Sequence, residues 1–160
     1  MALLEARDYQ VFGVDISQGM IREALGRGVK ASVLGDLRYL PCRPAVFDGA
    51  FSMHGGLSHL PTMREKTAAL REIDRALKRR CVLMIDVPNP YRKDRGETYT
   101  VQWQAGQQRI GLRGHAWYPG QFEKICGDLG FSDIRFLGDY ALTRCFGQGS
   151  RKLILLAKRD

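Results

Sequence analysis

A chain of 160 residues, 44% hydrophobic and 26% charged, has the length and balance of one globular domain with a real core. No apolar run approaches the roughly 20 residues that cross a bilayer, and residues 1–8 lack the basic region and apolar stretch of a secretory signal, so a cytoplasmic setting is the expectation. The net charge of +8 comes from scattered basic residues, with short clusters at Lys78-Arg79-Arg80 and Arg92-Lys93, and reads as a solvated basic surface before it reads as a nucleic-acid groove.

Leu3, Leu4 and Ala6 form the tail of a helix that Asp8 breaks. Residues 10–16 read as a short buried strand ending in an acid, Asp15. Ser17 caps a helix with Met20, Ile21, Ala24 and Leu25 on one face, stopped by Gly26 and Gly28. A strand at 31–34 ends at Gly35-Asp36; a proline-containing loop at 40–44 leads to another strand at 47–53. The longest helix is expected over 62–80, with Thr62 and Glu65 as a capping box and Leu70, Ile73 and Leu77 at helical spacing. Its last turn would then hold Lys78, Arg79 and Arg80, favourable to the helix dipole.

Residues 81–87 are an apolar strand, stopped by Pro88 and Pro90. The alternation so far predicts a parallel sheet with helices on both faces. The rhythm then changes: 99–103 and 108–112 read as a strand pair joined at Ala105-Gly106-Gln107. Pro119 opens a helix with Phe122, Ile125, Cys126 and Leu129, which Gly130 ends. Two strands, 133–137 and 152–158, close a single domain spanning 1–160, with 97–114 a hairpin insert.

Cys42, Cys81, Cys126 and Cys145 form no CxxC pair, and the three histidines complete no zinc pattern, so the thiols read as small buried hydrophobes and no metal is expected. Gly26-Arg27-Gly28-Val29-Lys30-Ala31 fits GxGxxA but follows a helix instead of a strand, which removes it as a nucleotide loop. Asp15 and Asp36 end successive strands. In an open parallel sheet ligands bind beyond those ends, where a carboxylate can accept from ribose hydroxyls or an adenine amino group; capping a turn is the plainer alternative for both.

The ordered set Val11-Phe12-Gly13-Val14-Asp15-Ile16-Ser17, Met20, Gly35-Asp36-Leu37, Leu40-Pro41 and Phe47-Asp48 resembles class I S-adenosylmethionine-dependent methyltransferases. The stretch from Phe51-Ser52-Met53-His54 to His59-Leu60, the long helix, the strand ending Ile85-Asp86, and Trp117-Tyr118-Pro119 before Leu129-Gly130-Phe131 extend the resemblance over nearly the whole chain. It implies a Rossmann-like, mostly parallel sheet with flanking helices and a C-terminal antiparallel hairpin, and S-adenosyl-L-methionine as cofactor. Asp15 would hold the ribose, Ile16 and Met20 would pack on the adenine, Asp36 and Leu37 would meet the adenine ring, and Met53 and His54 would line the boundary with the substrate.

The family places a strand and a glycine-rich cofactor loop ahead of the strand ending at Asp15; here only the tail of the following helix is present. The resemblance therefore implies a chain truncated before that motif, lacking the usual first strand, which lies between the strands ending at Asp15 and Met53. The expectation is a marginal fold, a strand swap or homodimer, direct pairing of those two strands, or a gene fragment or mis-assigned start. Lys78-Arg79-Arg80 also replaces the family's proline and glycine turn.

Methyl transfer from a sulfonium is an in-line displacement, in which the protein aligns the acceptor and excludes water. Should the acceptor need a base, His54, His115 and Tyr118 are the candidate catalytic residues, with His54 foremost; His59 reads as packing at the entry of the long helix. The short hairpin, with Tyr99 and Trp103 facing either substrate or sheet, suggests a small-molecule acceptor. The alternatives are a non-catalytic remnant or interaction module without cofactor binding, and a basic protein that uses this fold on RNA.

Overall fold

The computed structural model describes residues 2–92, 96–105, 108–141 and 143–159, with the side chains of residues 2 and 101–110 outside that description. Trp103's side chain and the turn residues Gly106 and Gln107 therefore lie outside the described residues. The elements are α1 (Ala2–Glu5), β1 (Gly13–Asp15), α2 (Gln18–Gly26), β2 (Ser32–Leu34), β3 (Phe47–Ser52), a 3-10 turn (Gly56–His59), α3 (Met63–Ala76), β4 (Leu77–Pro88), β5 (Thr98–Ala105), β6 (Gln108–His115), α4 (Pro119–Asp128), β7 (Asp133–Leu137) and β8 (Lys152–Lys158).

These strands form three sheets: parallel β1-β2, a four-stranded sheet in the order β3-β4-β8-β7, and the antiparallel hairpin β5-β6. β3 and β4 run parallel, and β8 is antiparallel to both β4 and β7. Direct pairing of β1 with β3 does not occur among the described residues. Phe12 stacks on Phe47 between them, with ring centroids 5.7 Å apart.

The core lies where α3 and α4 cover one face of the four-stranded sheet. Cys81, Leu83, Ile85 and Val87 alternate inward along β4 and meet Ala69, Leu70 and Ile73 of α3 and Phe122, Ile125 and Cys126 of α4. Trp117 and Phe122 stack at 4.5 Å in its centre, and the Trp117 indole donates to the Leu57 carbonyl at 3.0 Å. The expectation of helices on both faces is met on this face only: Phe51 of β3 and Val82 of β4 project from the other and stay exposed.

α3 begins as expected, with the reciprocal Thr62–Glu65 capping box in place. It ends four residues before the expected limit, at Ala76. The amides of Ala45 and Val46 bond the carbonyls of Arg75 and Ala76 at 2.9 Å, and Leu77 turns extended to pair with Phe47. Lys78, Arg79 and Arg80 thus belong to β4, not to a last helical turn. The register jumps from Phe47↔Leu77 to Gly49↔Val82, and Arg80 takes a left-handed φ of 58° within that bulge. Sheet pairing has overridden helix propensity.

Two cysteines match the expectation of buried apolar packing, Cys81 and Cys126, whereas Cys145 is exposed and Cys42 half-buried; all four are free. Burial raises the Cys126 thiol to about 12, which keeps it an unreactive core group. No metal-ligand cluster occurs among the described residues, and no described helix is long and apolar enough to cross a membrane.

Lys66 is the one cation in the core of α3. It is 4% exposed, donates to the Ala116 carbonyl at 2.5 Å and the Gln121 side chain at 3.3 Å, and lies 4.7 Å from the Trp117 ring centre. Burial lowers it from 10.5 to about 8, against the opposing pull of Glu97. Between those two values the unfolded chain holds the extra proton, so stability rises with pH through that window and is flat on either side. Urea unfolding of wild type and Lys66→Met at pH 7.5, 9 and 10.5 is expected to show an alkaline gain of roughly 3 kcal/mol in the wild type that the variant lacks.

Candidate functional site

The carboxyl ends of β1, β2, β3, β4 and β7 supply the functional side chains, as the crevice rule for open parallel sheets requires. At the first two, Asp15 stands opposite Leu34, and the Gly35 amide donates to the Asp15 carbonyl at 3.0 Å, bringing Asp15 and Asp36 to one edge. Gly35 is forced by contact: a Cβ there would lie 2.8 Å from Val14 and 3.1 Å from Pro41. Asp15 Oδ1 accepts from the Ser17 amide at 2.8 Å, while Oδ2 has no partner among the described residues. Ser17 in turn accepts from Met20 and caps α2.

Ile16, next to Asp15 in the chain, and Met20, in the first turn of α2, are 72% and 56% exposed. Asp36 is differently placed from Asp15. Arg38 grips it through Nε at 3.0 Å and Nη2 at 2.6 Å, and the Arg38 amide adds a third bond at 2.8 Å. The Arg38 side chain is the main reason the Asp36 carboxyl sits below its ordinary range. The same guanidinium reaches Glu65 on α3 at 2.6 Å, so Arg38 ties this edge to the body, and the Leu37 side chain packs against the core.

β3 leads to Met53, half-buried, and His54, exposed and left-handed at φ 61°. Gly55 follows with φ 75°; two left-handed residues in succession turn the chain sharply and hold His54 at the rim. The turn is anchored from below. Asp86, fully buried in β4, accepts the Gly55 amide through Oδ1 at 2.8 Å, and its Oδ2 accepts from Lys152 of β8 at 2.6 Å and from the Tyr140 hydroxyl. Lys152 also lies 4.9 Å from the centre of the Tyr140 ring.

Burial opposes the charge on Lys152, but its bonds to Asp86 and Tyr140 outweigh that and hold it above its ordinary range. Burial and the Asp86 bond both raise Tyr140, so its hydroxyl is a donor at neutral pH. Neighbouring Asn89, fully buried, donates to the carbonyls of Gly147, Gln148 and Ser150 at 2.7–3.2 Å and accepts from the Tyr91 amide at 2.9 Å. This fixes the 147–150 loop against the end of β4.

No hydrogen bond joins the three catalytic candidates to one another among the described residues. His115 Nδ1 lies 3.3 Å from the Thr98 hydroxyl across the hairpin. Tyr118 precedes α4, and its ring meets Tyr91 edge-on at 5.7 Å. His59 lies with Nδ1 3.0 Å from the Arg113 carbonyl, tying the 3-10 turn to β6. Asp86, Asn89, Tyr140 and Lys152 carried no role in the sequence. Asp86 alone left a signal, as a third acid at the carboxyl end of a strand.

Residues 1–85 match the family model of the methyltransferase domain. The chain belongs to that family. Its fold is the Rossmann-like kind. An uncharacterized protein of Methanocaldococcus jannaschii is 35% identical over 79 residues, 49% of this chain and 30% of that protein; the chain spans less than a third of that relative.

Among solved structures, the CcbJ methyltransferase of Streptomyces caelestis matches with a TM-score of 0.81 at 15% identity, covering 98% of this chain and 77% of that one. An S-adenosylmethionine-dependent methyltransferase of Clostridium acetobutylicum matches at 0.73, with 14% identity over 94% and 75%. An amino pentose methyltransferase of Micromonospora echinaspora, solved with S-adenosylmethionine bound, matches at 0.66, again at 14% identity over 94% and 74%. At these identities the likeness is one of fold.

The residues present suit the nucleoside end of this cofactor. The open Asp15 oxygen is an acceptor for hydroxyl groups, and the uncovered Ile16 and Met20 form an apolar rest for a flat ring. Asp36, already gripped by Arg38, has less capacity left to accept than the sequence suggested.

Replacing Asp86 with alanine removes the anchor of the His54 turn and leaves Lys152 without its anion. Because Lys152 is 30% exposed and can turn to water, the cost is expected near the lower limit for a broken buried pair, about 3 kcal/mol in urea unfolding.

Proposed function

We propose that this chain carries out S-adenosylmethionine-dependent methyl transfer to a small-molecule acceptor in the cytoplasm. The observation that carries this reading is the open Asp15 carboxylate oxygen beside two uncovered apolar side chains at the carboxyl edge of a methyltransferase-family sheet. Asp15 binds the ribose hydroxyls, Ile16 and Met20 cover the adenine, and the Asp36–Leu37 turn borders that ring. When bound, S-adenosylmethionine would supply its sulfonium methyl group to the acceptor in line, the carbon–sulfur bond breaking and S-adenosylhomocysteine leaving.

Met53 and His54 stand between cofactor and acceptor. His54, held at the rim by its left-handed turn, takes the acceptor proton where one must leave; His115 and Tyr118 are the second candidates for that task. The β5-β6 hairpin covers the acceptor side, which is supported by the His59 contact to Arg113. Free thiols at all four cysteines accord with a reducing compartment.

A second reading is an interaction module without cofactor chemistry. It is favoured by the apolar side chains left uncovered around β1, α2 and β3: Leu25, Leu34 and Phe51 as well as Ile16 and Met20. On this reading a second copy of the chain covers them, by a homodimeric contact or a strand exchanged between β1 and β3.

Calorimetric titration with S-adenosylhomocysteine separates the two. Methyl transfer requires binding, expected near 10 µM, on the order of 7 kcal/mol, and Asp15→Ala should weaken it at least tenfold. Unchanged affinity in the variant would show the ribose assignment to be wrong. A folded chain that binds nothing but dimerises on dilution-series gel filtration would establish the second reading.

A further inference from the structure

The cavity behind the His54 turn is unassigned by the family match. Its volume is about 770 Å³, and its wall is built from the end of β4, the 138–140 turn after β7, and the 144–152 segment that enters β8. That size suits a small molecule. It opens at the same carboxyl edge as His54: Pro88 lines it, Gly55 packs against Pro88 with a virtual Cβ at 3.4 Å, and the Gly55 amide is held by Asp86 directly beneath.

The charge of the wall is one-sided. Arg92, Arg144, Arg151 and Lys152 line the cavity, with Asp139 as its carboxylate. Asp139 is turned to its own loop, accepting from the amide and hydroxyl of Thr143 at 3.2 Å. Asp86 offsets Lys152 only. Neither the Arg144 nor the Arg151 guanidinium has a carboxylate partner among the described residues.

The backbones bearing these arginines are fixed. The Arg144 carbonyl accepts from Gly138 at 2.9 Å, and Arg151 lies against Asn89, the residue that clamps the 147–150 loop. Both side chains are exposed and their rotamers must still be ordered when a ligand arrives, but the backbone that bears them is already placed.

We propose that this cavity is the acceptor site and that it selects a small acceptor bearing a carboxylate or phosphate group, held by Arg144 and Arg151 with the Tyr140 hydroxyl and Lys152 beside them. The proposal rests on the methyl-transfer reading for the word acceptor, but its anion recognition is testable without the cofactor. Guanidinium pairs match both anions in two-point geometry, and the neighbouring Met53–His54 turn places the rest of the molecule towards the cofactor end.

The test is titration of the full chain with citrate and, separately, inorganic phosphate in dilute buffer, without cofactor. Wild type should bind at least one of the two, and Arg144→Glu/Arg151→Glu should weaken that binding at least tenfold. A control, Arg64→Glu/Arg71→Glu on α3, changes the net charge equally and should leave it within twofold. Equal weakening in both variants would mean that the general basic field holds the anion and would overturn the proposal, as would no binding to the wild type.

Circular dichroism and the uncharged Arg144→Gln/Arg151→Gln variant guard against misfolding of the charge-reversed protein. The glutamine variant should also lose at least tenfold in affinity with an unchanged spectrum, and affinity retained in that variant would overturn the assignment to the two arginines. Failure here with intact S-adenosylhomocysteine binding would remove only the acceptor class, whereas anion binding with no S-adenosylhomocysteine binding would remove the methyl-transfer reading.

Discussion

One buried carboxylate holds the functional end of this molecule together. Asp86 has no contact with water, and a charge in that position is tolerable only when its oxygens are fully engaged. One oxygen receives the amide of the His54–Gly55 turn and the other receives Lys152 and Tyr140. Three segments distant in sequence are thereby fixed to the end of β4. The left-handed backbone at His54 and Gly55 persists because this bond determines the turn from outside it.

A second constraint, more exposed, joins the β1-β2 unit to the body. Arg38 spans Asp36 and Glu65, the Leu40 amide bonds Glu72 at 2.9 Å, and Arg75 reaches the carbonyls of Cys42 and Leu40 at 2.9 and 3.1 Å. These polar bonds act beside the Phe12–Phe47 stack and the packing of Leu37 and Leu40 on the core, while α2 contributes no buried residue. The two ends of the site therefore differ in kind. The Asp86 end is buried, hydrogen-bonded and charge-lined, while the Asp15 end is open and carries exposed apolar side chains.

What was legible in the sequence was local. The Thr62–Glu65 box, the Ser17 cap, Pro119 at the start of α4 and Asp15 at the end of β1 depend on residues a few positions apart, and each is where the pattern put it. The end of α3 was not legible, because a parallel partner decides it: Phe47 pairs with Leu77 and takes the basic run into a strand. The Asp86–Lys152 pair lies 66 positions apart, and nothing near Lys152 marks it off from other strand-entry lysines. Asn89 was hidden between two prolines that explained themselves as strand breakers.

On the proposed function, the Asp15 edge and the Met53–Gly55 turn border one ligand. Amide chemical-shift mapping by NMR with S-adenosylhomocysteine tests it directly. The largest shifts are expected at residues 15–20 and 35–37 together with 53–55, with little change at Arg64, Arg71 and Lys124 on the α3–α4 surface. Shifts confined to that basic surface, or to the β1-β2 unit without the His54 turn, would contradict it.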